Sequence, residues 1–212
     1  MAARRDSAVQ VAVFAKAPVP GEVKTRLVGM LGPEGAAQLH ATLARHALAT
    51  AREAGVGPVS LWCAPDAGHP FFADCAAQYG VLLHDQRGAH LGERMARAFG
   101  QLLATGPALL LGSDCPSLDA GDLRAAAGSL ATHDAVIQPA EDGGYVLVGL
   151  AREMSSIFEG IRWGGPDVMR DTRARLREAS AIWREMPARW DVDRPEDYRR
   201  LLAAGFFAET GR

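Results

Sequence analysis

Residues 108–118 read ALLLGSDCPSL, and this stretch decides the fold. Four apolar residues closed by Gly112 have the length and composition of a buried strand. Behind them stand Asp119 and Asp122, spaced as an N-cap and its first-turn partner for a helix over 119–131. A strand that runs into a capped helix is half of a βαβ unit, the unit from which parallel sheets are built.

The same alternation extends to both sides. Strands are expected at 9–14 (VQVAVF), 59–63 (VSLWC), 81–84 (VLLH) and 135–138 (AVIQ), with helices at 34–54, 70–79 and 91–104. In the first helix Leu39, Leu43 and Ala47 recur every four residues and give one apolar face. Beyond residue 138 the rhythm changes. The run YVLVGL at 145–150 follows after only a short PAEDGG connection, then come helices at 166–179 and 195–204 with a strand at 181–186 between them. Such a tail suits an antiparallel element added to a parallel core. The expectation is an α/β protein, a Rossmann-like αβα sandwich with a mostly parallel mixed sheet. No internal repeat or low-complexity linker interrupts the 212 residues, a length that fits one domain with a substantial core.

Composition narrows the partners. With 48% hydrophobic and 23% charged residues the chain has the balance of a globular protein, and no apolar run is long enough to span a membrane. A formal net charge of -2 gives no global field for nucleic acid or an anionic membrane, so an anionic substrate must meet a local cluster of cations. Cys63, Cys75 and Cys115 are odd in number and form no C-x-x-C pair, which favours a reducing compartment. The opening MAARRDSAVQ has no export-signal pattern, so the expected location is cytoplasmic.

Four segments carry candidate chemistry. Between Lys16 and Arg26 three cations (Lys16, Lys24, Arg26) fall within eleven residues of a loop stiffened by Pro18 and Pro20, directly after the first strand. Loops at the carboxyl ends of parallel strands bind ligands, and a cationic loop there suits phosphate. It is not a P-loop, because G-x-x-x-x-G-K-[ST] is absent. Asp114 sits past the end of another strand, where a carboxylate can hold a divalent ion that bridges diphosphate oxygens. Cys115 beside it has no histidine tied to it in sequence and does not read as a nucleophile. In PAEDGGY (139–145), Asp-Gly and Gly-Gly read first as a hairpin turn, with Glu141 or Asp142 as possible contacts to sugar hydroxyls. In WDVDRPEDY (190–198), Asp193 reads as an N-cap, with Pro195 and Glu196 in the following first turn. Asp191 or Asp193 is also a candidate second metal ligand. The six histidines show no zinc spacing and are assigned no role.

Five motifs occur in order: K-x-P-x-P-G-x-V-K-T-R-L at 16–27, L-G-E-R-M at 91–95, G-S-D-C-P at 112–116, E-D-G-G-Y at 141–145 and D-V-D-x-P-E-D at 191–197. Together they resemble the radical-SAM/selenodomain-associated glycosyltransferase-like family. More distantly the chain is similar to 2-phospho-L-lactate guanylyltransferase and the molybdenum-cofactor guanylyltransferases. The resemblance implies the nucleotide-diphospho-sugar transferase fold, of GT-A type, and a Mg²⁺ or Mn²⁺ cofactor. Carried over, it makes Lys24 and Arg26 phosphate contacts, Asp114 the metal-binding aspartate and Asp193 the second ligand. Asp142, Gly143 and Gly144 would line the sugar or acceptor pocket. The nucleotidyltransferase signature G-G-x-S-x-R-M-G is absent after the first strand, and the D-x-D of many glycosyltransferases is reduced to Ser113-Asp114-Cys115.

The expected function is therefore metal-dependent glycosyl transfer from a nucleotide-sugar to a small-molecule acceptor, with Asp114, Glu141 and Asp142 as catalytic candidates and Lys16, Lys24, Arg26, Gly143 and Gly144 as substrate contacts. Nucleotidyl transfer from an NTP to a phosphorylated acceptor is the alternative, and a non-catalytic nucleotide-binding module the third reading. On any of them Lys24, Arg26 and Asp114 should surround one cleft, with Asp193 facing it.

Overall fold

A computed structural model describes residues 8–209; the residues that open the chain, on which the export-signal reading falls, lie mostly outside it. Seven strands form one sheet: β1 (Gln10–Lys16), β2 (Val59–Ala64), β3 (Leu82–Asp85), β4 (Ala108–Gly112), β5 (Ala135–Pro139), β6 (Tyr145–Leu150) and β7 (Trp183–Glu185). Their order is β3-β2-β1-β4-β6-β5-β7. All pairings are parallel except those of β6 with β4 and β5. The antiparallel element expected in the second half is present, but inside the sheet, between β4 and β5.

Helices α1 (Val28–Ala54), α2 (Pro70–Tyr79), α3 (Leu91–Leu102), α4 (Ala120–Ser129), α5 (Val168–Glu178) and α6 (Pro195–Ala203) cover both faces. The alternation of side chains along β1 shows why. Val11, Val13 and Ala15 pack with Ala44 and Leu48 of α1, Phe72 of α2 and Leu123 of α4, while Ala12 and Phe14 pack on the opposite face with Met95 and Phe99 of α3 and Leu176 of α5. A sheet covered on both sides needs apolar residues at every position, which explains the uninterrupted ALLL and VQVAVF runs. Helix α1 starts earlier than expected because a helical turn precedes a break at Gly32 (φ 70°). Pro33 then opens the regular segment. Among the described residues no helix is long and apolar enough to cross a membrane.

The cap of α4 forms as expected: the Asp122 N–H donates to Asp119 Oδ1 at 2.8 Å, and the Asp119 N–H donates to Asp122 Oδ2 at 3.2 Å. Asp122 does more than cap. Arg189 grips its carboxylate with two hydrogen bonds of 2.8 and 2.7 Å. That grip anchors residues 186–194, which cross the carboxyl ends of β5 and β4. Met186 N–H donates to Ile137 O, Arg189 N–H to Pro139 O and Val192 N–H to Asp114 O.

Burial opposes ionisation of Asp122, but the Arg189 guanidinium outweighs it and holds the carboxyl below its usual range. The stabilisation is thus full at neutral pH and is lost only as pH falls through that lowered value, below about 4. Asp122→Ala removes a cap and half of a recessed ion pair, and is expected to cost about 2–3 kcal/mol at pH 7. Urea denaturation should show a lower midpoint with unchanged slope, and the gap to the parent should close in acid.

Candidate active site

Lys24 lies at the end of the loop after β1 in a left-handed conformation (φ 47°), unusual for a residue with a side chain. Its conformation delivers the ammonium inward, where it is 8% exposed. There Nζ donates to Val192 O at 2.6 Å and pairs with Asp114 Oδ2 at 2.9 Å. His40, from α1, stands on the other side of the carboxylate, with Nδ1 3.5 Å from Asp114 Oδ1. Its Nε2 is 3.0 Å from the carbonyl of Lys16, which can only accept, so Nε2 donates to it. Burial pushes Asp114 toward neutrality, but Lys24 and His40 prevail and keep it ionised well below the usual carboxylate range. The Asp114 side chain remains 43% exposed, open to a cleft of about 450 Å³ that Lys16, Lys24, Arg26, Gln86 and Asp193 also line.

A second chamber of about 400 Å³ adjoins it, lined by Asp142, Gly165, Trp190 and Asp191 among others. Arg26 and Asp193 line both chambers, and their ion pair stands between them. Lys24, Arg26 and Asp114 thus surround one cleft, with Asp193 facing it.

Two expectations are corrected. Asp193 does not cap α6: Asp197 Oδ2 accepts the N–H groups of both Arg194 (2.7 Å) and Asp193 (3.1 Å), and Asp193 turns to Arg26 instead. Gly143 and Gly144 shape the β5–β6 turn rather than line the chamber. Gly143 (φ +94°) lies where an added Cβ would meet Pro166 O, and its own carbonyl accepts from the Met169 N–H at 2.8 Å. Gly144 N–H donates to Asp142 Oδ1 at 2.9 Å. Glu141 is gripped by Arg200 at 2.7 and 3.2 Å, which lowers its pKa and makes it a poor proton acceptor. Arg200 also stacks over Trp190, 4.5 Å from the ring centre. Burial pushes the Cys115 thiol up to about 11, so it is no nucleophile.

His40 and Gln86 carried no motif, and only the convergence of strand ends brings them to the cleft. Asp191 had been one of two choices. Asp193 is now taken by Arg26, whereas no cation pairs with Asp191 among the described residues. No three His, Cys, Asp or Glu side chains among the described residues are grouped as a metal cage. The carboxylates at the junction fit Mg²⁺ or Mn²⁺ in another way, since such ions take one or two carboxylates and complete their shell with water and substrate phosphates.

A protein of Desulfovibrio desulfuricans G20 described as a "putative nucleotide-diphospho-sugar transferase" superposes with a TM-score of 0.80 at 33% identity, over 89% of this chain and 83% of that one. CMP-2-keto-3-deoxy-manno-octonic acid synthetase complexed with CTP follows with a TM-score of 0.59 at 12% identity, over 94% and 100%. Rv0371c of Mycobacterium tuberculosis H37Rv, complexed with manganese, gives 0.52 at 19%, over 92% and 98%. At the two lower identities the likeness is one of fold. The architecture is that of the nucleotide-diphospho-sugar transferases. Residues 47–165, more than half of the chain, match the family described as "Uncharacterized protein conserved in bacteria (DUF2064)", and the chain belongs to that family. No curated protein matches it in sequence.

Burial, then the charges of Asp142 and Asp114, push the Asp191 carboxyl up to about 6. The folded protein therefore binds more protons than the unfolded chain between about pH 4 and 6, and stability falls as pH rises through that window. Asp191→Asn removes the penalty. It is expected to raise the melting temperature at pH 7.5, by a gain on the order of 1–2 kcal/mol, and to leave it nearly unchanged at pH 4. Scanning calorimetry at the two pH values checks this.

Proposed function

We propose that the chain is a metal-dependent glycosyltransferase that moves a sugar from a nucleotide-sugar to the hydroxyl of a small-molecule acceptor. The observation that carries this reading is the pair of adjoining chambers that meet at Arg26 and Asp193, the smaller of which has the greater excess of carboxylates. The larger chamber offers Lys16, Lys24 and Arg26 to a diphosphate. The smaller one offers Asp142 and Asp191 to hydroxyl groups, and there carboxylates outnumber Arg26 and Arg194. Mg²⁺ or Mn²⁺ held by Asp114, with Asp193 beside it, would neutralise charge on the diphosphate.

In this reading Lys24 and Arg26 exchange their carboxylate partners for phosphate oxygens and stabilise the charge that develops on the leaving group. Of the carboxylates lining the smaller chamber, Asp191 is the candidate base: Glu141 is held by Arg200, and Asp142 accepts the Gly144 N–H. Asp191 takes the proton of the acceptor hydroxyl while the oxygen bonds to the anomeric carbon. The bond from that carbon to the diphosphate breaks, and the nucleoside diphosphate departs. Free buried thiols at Cys63, Cys75 and Cys115 fit a cytoplasmic setting. Nucleotidyl transfer is the second reading, favoured by the likeness to a synthetase complexed with CTP. It would place a phosphorylated acceptor against Asp142 and Asp191.

At a hundred times its dissociation constant, a ligand of the folded state adds about 2.7 kcal/mol. For a domain of this size the melting shift is roughly 5–10 °C. A nucleoside diphosphate or nucleotide-sugar with Mn²⁺ is expected to give that shift, and Asp114→Ala to remove its metal-dependent part. If only a triphosphate stabilises the protein and pyrophosphate is released with an acceptor, nucleotidyl transfer replaces this reading. Stabilisation by no nucleotide would set both readings aside.

A further inference from the structure

The larger chamber is not uniform. Its lining joins the polar Lys24, Arg26, Ser113 and Asp114 with the apolar Phe14 and Leu91 and the amide of Gln86. Leu91 is an exposed large apolar residue, at 43%. A nucleotide has the same polarity, with anionic phosphates at one end and a flat base at the other. Strand order places Gln86, beyond β3, over β2 and β1, whereas Asp114 follows β4 on the far side of β1. At the usual strand spacing this separates the Gln86 amide from Asp114 by about 5–10 Å, a nucleoside's span.

Gln86 is fixed more firmly than a surface glutamine. Its backbone N–H donates to Cys63 O at 2.8 Å. Its side-chain Nε2 donates to Trp62 O at 2.8 Å and to Ala15 O at 3.2 Å. Both partners are carbonyls and can only accept, so the amide cannot be turned round without setting oxygen against oxygen. Both N–H bonds are thereby directed at the strand ends. What remains for the chamber is Oε1, which has no partner among the described residues and is not sealed from solvent.

We infer that Gln86 selects the nucleobase, its Oε1 accepting a hydrogen bond from an exocyclic amino group, so that amino-bearing bases are preferred over their oxo counterparts. The inference rests on the nucleotide-binding reading given above. A base carbonyl in that position would face Oε1 lone pair to lone pair, and neither group could donate. Phe14 and Leu91 supply apolar contact that any base would satisfy, so discrimination falls to the amide.

Two nucleotide pairs set an amino group against an oxo group at the same ring position: CDP against UDP, and ADP against IDP. Each is titrated calorimetrically into the full chain with Mn²⁺, and into Gln86→Leu. In at least one pair the amino-bearing nucleotide is expected to bind about tenfold tighter or more, and the preference should shrink below about threefold in Gln86→Leu. If both pairs bind the parent with less than about a threefold difference, the role of Gln86 is overturned while nucleotide binding stands. A preference that survives intact in Gln86→Leu overturns it as well. Binding of none of the four overturns this inference together with the nucleotide-binding reading. The comparison within the parent does not depend on how well the variant folds.

Discussion

The site depends on one buried ammonium. Lys24 is enclosed between the Asp114 carboxylate and the Val192 carbonyl, and a charge removed from water is tolerated only when it is paired. Three stretches distant in sequence must therefore meet: the loop after β1, the end of β4 and residues 186–194. The left-handed backbone at Lys24 costs on the order of 1 kcal/mol, and this enclosure maintains it. Val192 is itself fully buried against Leu39 and Leu43 of α1 and Leu201 of α6. Packing of the last helix and placement of the catalytic candidates are thus one event in folding.

The same arrangement explains why Asp114 can be both recessed and ionised. Two of its neighbours are cationic or polarised toward it, and neither needs a ligand to be in place. The pair Lys24–Asp114 holds the cleft in shape with its charges matched. On the proposed function, a substrate and its ion would replace the internal charges with matching ones, leaving no group unpaired at either stage.

Much of this was legible in the residues, because burial on two faces writes itself into sequence as unbroken apolar runs. Strand ends followed by Gly, Pro or Asp marked the loops, and parallel topology then sends those loops to one edge, so Lys24, Arg26 and Asp114 could be joined on paper. Other features depend on long-range pairing that leaves no local trace. Tyr145–Leu150 could be read as a strand returning on its neighbour, yet nothing within it says that Leu110 will lie opposite Val148. His40 occupies an ordinary position on an amphipathic helix, and only the fold carries it to Asp114. Residues 191–197 contain three aspartates, and local preference alone does not decide which of them accepts the free N–H groups of the next helix. Asp197 does, which frees Asp193 for Arg26.

The reversed strand β6 has a consequence for how such a protein can diversify. Because β6 runs against its neighbours, the turn that begins it comes to the same edge as the ends of β4 and β5, without a helical crossover. Residues 140–144 are held by the sheet below and by Pro166 above, and Glu141 and Asp142 among them line the smaller chamber. Walls of the two chambers are therefore supplied by separate loops on a shared frame. Substitution or lengthening of the 140–144 and 163–166 segments can remodel one wall while the Lys24–Asp114 enclosure stays as it is. On the proposed function, descendants of a single scaffold would in this way acquire different acceptors while inheriting one donor.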